Sequence, residues 1–339
     1  MVNEFAYIFW YYIFEESDSR YLRYFARNYN VRWFMEARLP NLNQVVPGLL
    51  YEVEGFNWSF VEAVGLSDII VLFIGEESEY SLLFTSTALA SPNDIVLVYG
   101  GGDLKGYDIE ILRNFDVIYL HSLRYRSQQE LDTMADLLSS YVEAGGGLIL
   151  DTGDTRYGED IENIPSPFPI SRTSTYKESY LQLNYSTPHN ITQGIDFKGF
   201  SSTSPLTISY AKDVKEGADI LLYDEDRPVM VYWRWGSGKV LWTGLRLPYL
   251  IMLHQDEKNA RLLTNILHFM SPAKRGRSRC SIQFAYPEPE RILVHVEGAS
   301  PREAIWVKMS YYPGWSAEII GERSTQSVSY THLTLPTKA

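Results

Sequence analysis

The sequence predicts an α/β fold: a mostly parallel sheet with helices on both faces, followed by a truncated antiparallel β-sandwich. Three observations carry this. From residue 67, near-continuous apolar runs such as DIIVLFIG (68 to 75) and FDVIYLHS (115 to 122) alternate with helical patterns, as strands covered on both faces do. Several runs end in a glycine exit, as in NDIVLVYGGGD (93 to 103) and GLILD (147 to 151) running into TGD. Beyond residue 279, CSIQFAYPEPERILVHVEG and EAIWVKMSYYPGWSAEII read as short alternating strands.

In order along the chain, residues 1–66 read as a small α+β segment. FAYIFWYYIF (5 to 14) is apolar for only ten residues before EESD, too short for the ~20 residues that span a bilayer. SRYLRYFARNYN has helical spacing, and VRWFMEA and GLLYEVEG alternate as strands. Residues 67–270 form the α/β domain. Its strands are the four runs above, and EYSLLFTSTAL (79 to 89) and DIEILRN are short helices. The stretch 127 to 145 is a strongly amphipathic helix. Ser127 with Glu130 makes a capping box, and Gly145 suits its stop. Residues 155 to 204 are polar, carry Pro165, Pro167, Pro169 and Pro188, and read as an excursion off the sheet. LTISYAK, ADILLYD, PVMVYWRW and GKVLWTG are further strands, and the helix 256 to 270 closes the domain. A linker, 271–279, leads to the sandwich at 280–327. VSYTHLTLPT (328 to 337) has no period that continues it. A DNA run matching a common transposase-based sequencing adapter codes for this peptide, so residues 328–339 read as adapter read-through. On that expectation the natural C-terminus is missing and Met1 is open as an internal methionine.

Composition narrows the function classes. A net charge of −12 with one basic run, AKRGRSR (273 to 279), argues against nucleic acid. A lone cysteine, Cys280, excludes an intrachain disulfide, and six scattered histidines without HxH or HxxxH point to no metal. No GxGxxG or P-loop is present, so no nucleotide and no cofactor are implied. Aromatic content is high, 14% with 25 Tyr and 8 Trp, as in β-rich or surface-binding proteins. VYWRW (231 to 235) and YYPGW (311 to 315) would either stack on sugar rings or pack in the core. Asn57, Asn184 and Asn190 open N-glycosylation triplets that matter only on export.

Taken together, FDVIYLHS, YVEAGGGLILDTGD, HNITQGID (189 to 196) and WGSGKVLWTGL with NARLLTNILHFM resemble the class I glutamine-amidotransferase-like fold. The resemblance covers about residues 67 to 270 and is closest to the non-amidase branches, found as assembly domains of some glycosidases and in large membrane proteins. It implies a flavodoxin-like sheet. NYNVRWFM and VKMSYYPGWSAEI resemble segments flanking such domains in polytopic glycosyltransferase-type membrane proteins. That implies an extracytoplasmic, cell-surface setting, tethered through membrane segments outside this chain, with a glycan or other subunits as partners. The oligomeric state stays open.

In the family's true amidotransferases, a cysteine stands on the elbow after the strand that GLILD resembles, and a His–Glu pair activates it. Here the elbow is Asp151-Thr152-Gly153, Cys280 lies beyond the domain, and His254 with Glu257 has the wrong spacing for His-x-Glu. The familial amide hydrolysis therefore lacks its nucleophile, and a non-catalytic role is expected. Three readings of the elbow stay open. Asp151 and Asp154 bond to local backbone amides. Alternatively they are polar contacts in a ligand crevice with Thr152, Arg156 and His121, because open α/β sheets bind ligands beyond their strands' carboxyl ends. Or Asp151 or Thr152 serves a hydrolase with His254 as partner. Gly101, Gly102 and Asp103 form either a tight turn or a ligand-approaching loop. His121, Arg124 and Arg246 end strands and would face the crevice or solvent.

Overall fold

The computed structural model describes residues 59–66, 68–90, 94–122, 127–153, 161–185, 189–195, 200–254, 257–272, 280–288, 291–299 and 303–308, and short strands and a helical turn in the two ends. The chain divides into two compact units. One comprises residues 1–70, 91–99 and 273–339, the other 71–90 and 100–272. The aromatic run 5 to 14, the linker residues 273 to 279 and YYPGW (311 to 315) lie outside the described residues.

In the first unit, β1 (Trp33–Met35), β2 (Leu42–Val46) and β3 (Leu50–Val53) form an antiparallel sheet in the order β1-β3-β2. β4 (Val61–Val64) follows, buried at both ends.

The central sheet begins with β5 (Ile69–Ile74), buried throughout as its unbroken apolar run requires. Helix α1 (Glu77–Ala90) leads to β6 (Ile95–Tyr99). At the exit of β6, Gly100 N donates to Phe73 O, and Gly75 N donates to Gly101 O. The short helix α2 (Ile109–Leu112) is capped by the Asp108 carboxylate on Ile111 N. β7 (Val117–His121) and β8 (Gly147–Asp151) are buried at every position. Between them runs α3 (Gln128–Glu143), whose Leu131, Ala135, Leu138, Tyr141 and Val142 form its buried stripe. Each large side chain buried there stabilises by about 1.5–3 kcal/mol. Ser127 caps it as its sequence position predicts, accepting from Glu130 N at 3.2 Å. The Glu130 carboxylate lies 3.6 Å from Lys105 Nζ.

The polar stretch after β8 leaves the sheet and builds a long antiparallel pair, β9 (Ile170–Leu181) with, after the short β10 (Leu183–Asn184), β11 (Phe200–Val214). Only the LTISYAK part of this ribbon reads as a strand in the sequence. ISRTSTYKESYL carries a Ser/Thr-rich, largely exposed face with little apolar alternation. β12 (Asp219–Asp224), β13 (Arg227–Trp235) and β14 (Gly238–Thr243) return to the sheet. Helices α4 (Leu247–His254) and α5 (Glu257–Met270) close the unit, both in contact with α1.

Strands β5, β7, β8 and β14 run parallel, side by side. β13, β12 and β10 extend the sheet antiparallel from β14. The fold is thus α/β with a mixed central sheet, parallel at its centre, beside separate antiparallel sheets. Counted in chain order, the strands β5, β6, β7, β8 and β14 stand in the spatial order 2-1-3-4-5, the flavodoxin-like arrangement. Tyr232 and Trp233 of VYWRW are buried in β13, the core reading of that run.

In the first unit's C-terminal part, β15 (Ser281–Glu288) and β16 (Arg291–Glu297) form a hairpin. β17 (Ala304–Val307) pairs antiparallel with β4, and Val61, Ile305 and Val307 make a small core there. β18 (Ala317–Glu318) pairs with β19 (Ser327–Val328), and β20 (Leu333–Pro336), in the stretch read as adapter-coded, lies on β17.

Candidate functional site

The carboxyl ends of β5, β7, β8 and β14 bring Glu79, His121, Asp151 and Arg246 together. In-register parallel pairing sets His121 opposite Asp151 and Asp151 opposite Thr243. Glu79 comes from the first turn of α1, and Arg246 from the turn that follows β14.

Asp151 is 0% exposed. Its Oδ2 accepts from the Tyr119 phenol at 2.8 Å. Its Oδ1 accepts from Gly153 N at 3.0 Å and Arg246 N at 3.1 Å. Burial pushes the Asp151 carboxyl above the usual carboxylate range, and His121 and these three donors pull it back. The Tyr119 phenol is pushed far up by burial and by the neighbouring Asp151. The rest of the elbow is equally engaged. Thr152 Oγ1 accepts from Trp242 Nε1 at 3.0 Å, and Thr152 O accepts from Ser209 Oγ at 2.9 Å. A Cβ on Gly153 would stand 2.2 Å from Arg246 N. The elbow is a closed joint in which Asp151 bridges two chain turns, an arrangement that fills carboxylate lone pairs with local donors.

Beside it lies a second buried polar group. Glu79 and His121 are each 3% exposed. The Arg246 guanidinium clasps Glu79 through Nε, at 3.1 Å to Oε2, and through Nη2 to Oε1. Two-point pairing of this kind compensates a buried carboxylate far better than a single contact. The guanidinium also sits 4.6 Å from the Tyr249 ring centroid. His121 stacks near Phe73 at 6.5 Å between centroids, with Nε2 3.4 Å from Glu79 Oε2. Neither ring nitrogen of His121 makes a hydrogen bond within the described residues.

Backbone strain gathers at the same place. Of the four non-glycine residues with positive φ among the described residues, Ser122 (69°) and Arg246 (48°) flank Asp151. Ser122 N donates to Asp151 O at 2.7 Å, and Arg246 N is held by Asp151 Oδ1. Such conformations persist where surrounding bonds over-determine them.

The remaining predicted site residues distribute as follows. Gly101 and Gly102 lie on an exposed turn, where a Cβ on either would meet nothing within 4 Å. Asp103 Oδ1 accepts from Lys105 N at 3.0 Å, an Asx-type turn. His254 ends α4 and Glu257 opens α5; their side chains, and Arg124, Asp154 and Arg156 entirely, lie outside the described residues. Cys280 stands just before β15 in the first unit, its thiol pushed up by burial and by Glu303. Sequence reasoning missed Glu79 and Tyr119. Glu79 reads as an ordinary first-turn acid and Tyr119 as a core aromatic. A tyrosine two residues before a strand-end histidine, on the same face, was the available signal. Among the described residues no His/Cys/Asp/Glu group could hold a metal, and no helix is long and apolar enough to cross a membrane.

No family model and no curated protein matches the chain. Among solved structures it is similar to a cytoplasmic protein from Salmonella typhimurium LT2, at 17% identity over 60% of this chain and 100% of that one, with a TM-score of 0.46. A second cytoplasmic protein from Salmonella typhimurium matches at 16% identity over 60% of this chain and 99% of the other, with a TM-score of 0.44. A ThuA-like protein from Bacteroides uniformis matches at 13% identity over 64% and 94%, with a TM-score of 0.42. Scores below one half establish neither a shared family nor a shared activity.

Proposed function

We propose that this chain is a non-catalytic binding and assembly module for glycans, working within a larger cell-surface protein. The observation that carries the reading is the sealed elbow. Asp151 is fully buried with three donors on its carboxylate, and the Thr152 hydroxyl is held by Trp242. A nucleophile needs a lone pair within reach of substrate and a base to take its proton; with Asp151 0% and Thr152 7% exposed, both elbow side chains are buried away from that reach. What the strand ends offer instead is a polar floor of Glu79, His121 and Arg246, at the place where open α/β sheets receive ligands. The glycan assignment and the cell-surface setting draw on the sequence resemblance.

The test is an activity screen of the purified chain against glutamine and chromogenic amides, esters and glycosides, beside Asp151→Asn and Thr152→Ala. No turnover above buffer is expected from any of the three. Turnover by the parent chain that disappears in either variant would sink the reading.

A further inference from the structure

We propose that β16 pairs with β16 of a second copy of this chain, antiparallel and centred on Val294, so that two hairpins form one four-stranded sheet. The inference goes beyond the glycan-binding reading and does not depend on it; it assigns a partner to the hairpin of the first unit.

Three observations point there. First, β16 has an open edge. It pairs with β15 on one side, and among the described residues no strand pairs with the other. A row of unpaired N–H and C=O groups is a template for another strand, and native edges are commonly blunted by a bulge, a proline or charges along their length. β15 carries a bulge between Ala285 and Glu288, with Pro287 inside it. β16 carries neither, and its register is regular from Leu293 to Glu297.

Second, the run RILVHVE of β16 is complementary to its own reverse. About Val294, Arg291 falls opposite Glu297 of the second copy, and the same pair recurs at the other end. Ile292 falls opposite Val296, and Val294 opposite Val294. Opposite charges and β-branched pairs directly across an antiparallel ladder stabilise it, and like charges there destabilise it. A one-residue slip would set the apolar side chains of one copy on the polar face of the other. A two-residue slip would lose both charge pairs.

Third, the pairing joins apolar surface that one copy leaves open. Ile292, Val294 and Val296 are only half-buried where they pack towards the small core of Val61, Ile305 and Val307. On the opposite face Leu293 is 44% exposed, and its two copies become diagonal neighbours across the ladder. The same patch serves both copies, so the contact closes at two. A strand of seven residues makes a small interface, below the roughly 1,200 Å² of stable complexes. The dimer is therefore expected to be weak and concentration-dependent.

The test is sedimentation equilibrium of the whole chain from about 1 to about 500 µM, which spans micromolar to submillimolar Kd. A reversible monomer–dimer equilibrium is expected. Glu297→Arg sets like charges opposite each other at both ends and should weaken association about tenfold. The same change lowers the overall negative charge of the chain, which by itself would favour association, so a weakening reports the pairing. Arg291→Glu should weaken it similarly, and the double variant Arg291→Glu with Glu297→Arg should return it to near the parent value. Arg291 also faces Glu288 within its own hairpin, so a thermal melt accompanies each variant. Glu297 stands opposite Ser281 there, and its reversal decides the matter if the Arg291 variant folds poorly. A monomer over the whole range would overturn the proposal, whether the edge is then empty or takes a strand from another source. So would an oligomer that neither reversal weakens, or a folded double variant as weak as the single ones.

Discussion

The Tyr119 phenol donates to Asp151 Oδ2 at 2.8 Å, tying together two neighbouring parallel strands at a point where both side chains are buried. Tyr119→Phe removes this donor and leaves a carboxylate oxygen without it. The expected loss of stability is about 1–3 kcal/mol, read from urea denaturation. Little change in the unfolding midpoint would show that this hydrogen bond makes no net contribution to stability.

Asp151 also predicts a pH dependence. Its carboxyl is raised in the folded chain by burial, so the folded state holds its proton more tightly than the unfolded one. The stability it contributes is present below the unfolded value, ordinarily about 3.9, and is lost as pH rises through the folded one. Asp151→Asn lacks this dependence. The parent chain should therefore gain stability relative to Asp151→Asn as pH is lowered from about 7 towards about 4. A difference that does not vary with pH would contradict the burial argument.

The Glu79–Arg246 pair should respond unequally to truncation. Arg246 is 15% exposed and can turn towards water; Glu79 is 3% exposed and cannot. Arg246→Ala removes the two-point partner of a buried carboxylate and is expected to cost about 3–5 kcal/mol. Glu79→Ala should cost less, and a double-mutant cycle by denaturation measures the coupling between them. Equal single costs would show that Arg246 is pinned as firmly as its partner.

Glycine substitutions distinguish the joint from the loop. Gly153→Ala drives a methyl into Arg246 N at 2.2 Å and Gly244 O at 2.7 Å, both backbone atoms, and is expected to cost about 3 kcal/mol or more. Gly102→Ala meets nothing within 4 Å and should stay within about 0.5 kcal/mol of the parent. Gly101 has φ +94°, so alanine there should cost about 1–2 kcal/mol through strain alone. Thermal melts of the three variants rank these costs.

In the first unit, Lys308 is fully buried, 2.7 Å from Glu62 and 4.9 Å from the centre of the Trp306 ring. Burial lowers its ammonium to about 8, while the unfolded chain keeps the ordinary value of about 10.4. The folded state thus binds fewer protons across that interval, and stability should rise as pH goes from about 8 to about 10.4. Lys308→Met is expected to abolish the rise without loss at neutral pH, measured by denaturation across that range. A pH-independent parent would refute the burial of this charge.

The alternation of apolar runs with amphipathic helices was enough to place β5 to β8, α1 and α3, because burial on both faces imposes an unbroken apolar signal that few other arrangements share. The capping hydroxyl of Ser127 and the glycine exits were legible for the same reason: each meets a local backbone need that a short stretch of sequence displays. The ribbon of β9 and β11 was half hidden, since its pairing is satisfied by backbone bonds between polar strands that carry no period. The pairing of β4 with β17 joins residues more than two hundred positions apart, and no local pattern announces it. The site divides along the same line. That Asp151 stands where a nucleophile would is written in GLILDTGD. That its carboxylate is filled by Tyr119, Gly153 and Arg246, and that Glu79 meets Arg246 and His121, was decided only by the tertiary structure. Three strand ends and a helix turn converge there, and hydrogen bonds across such distances depend on register rather than on neighbours in the chain.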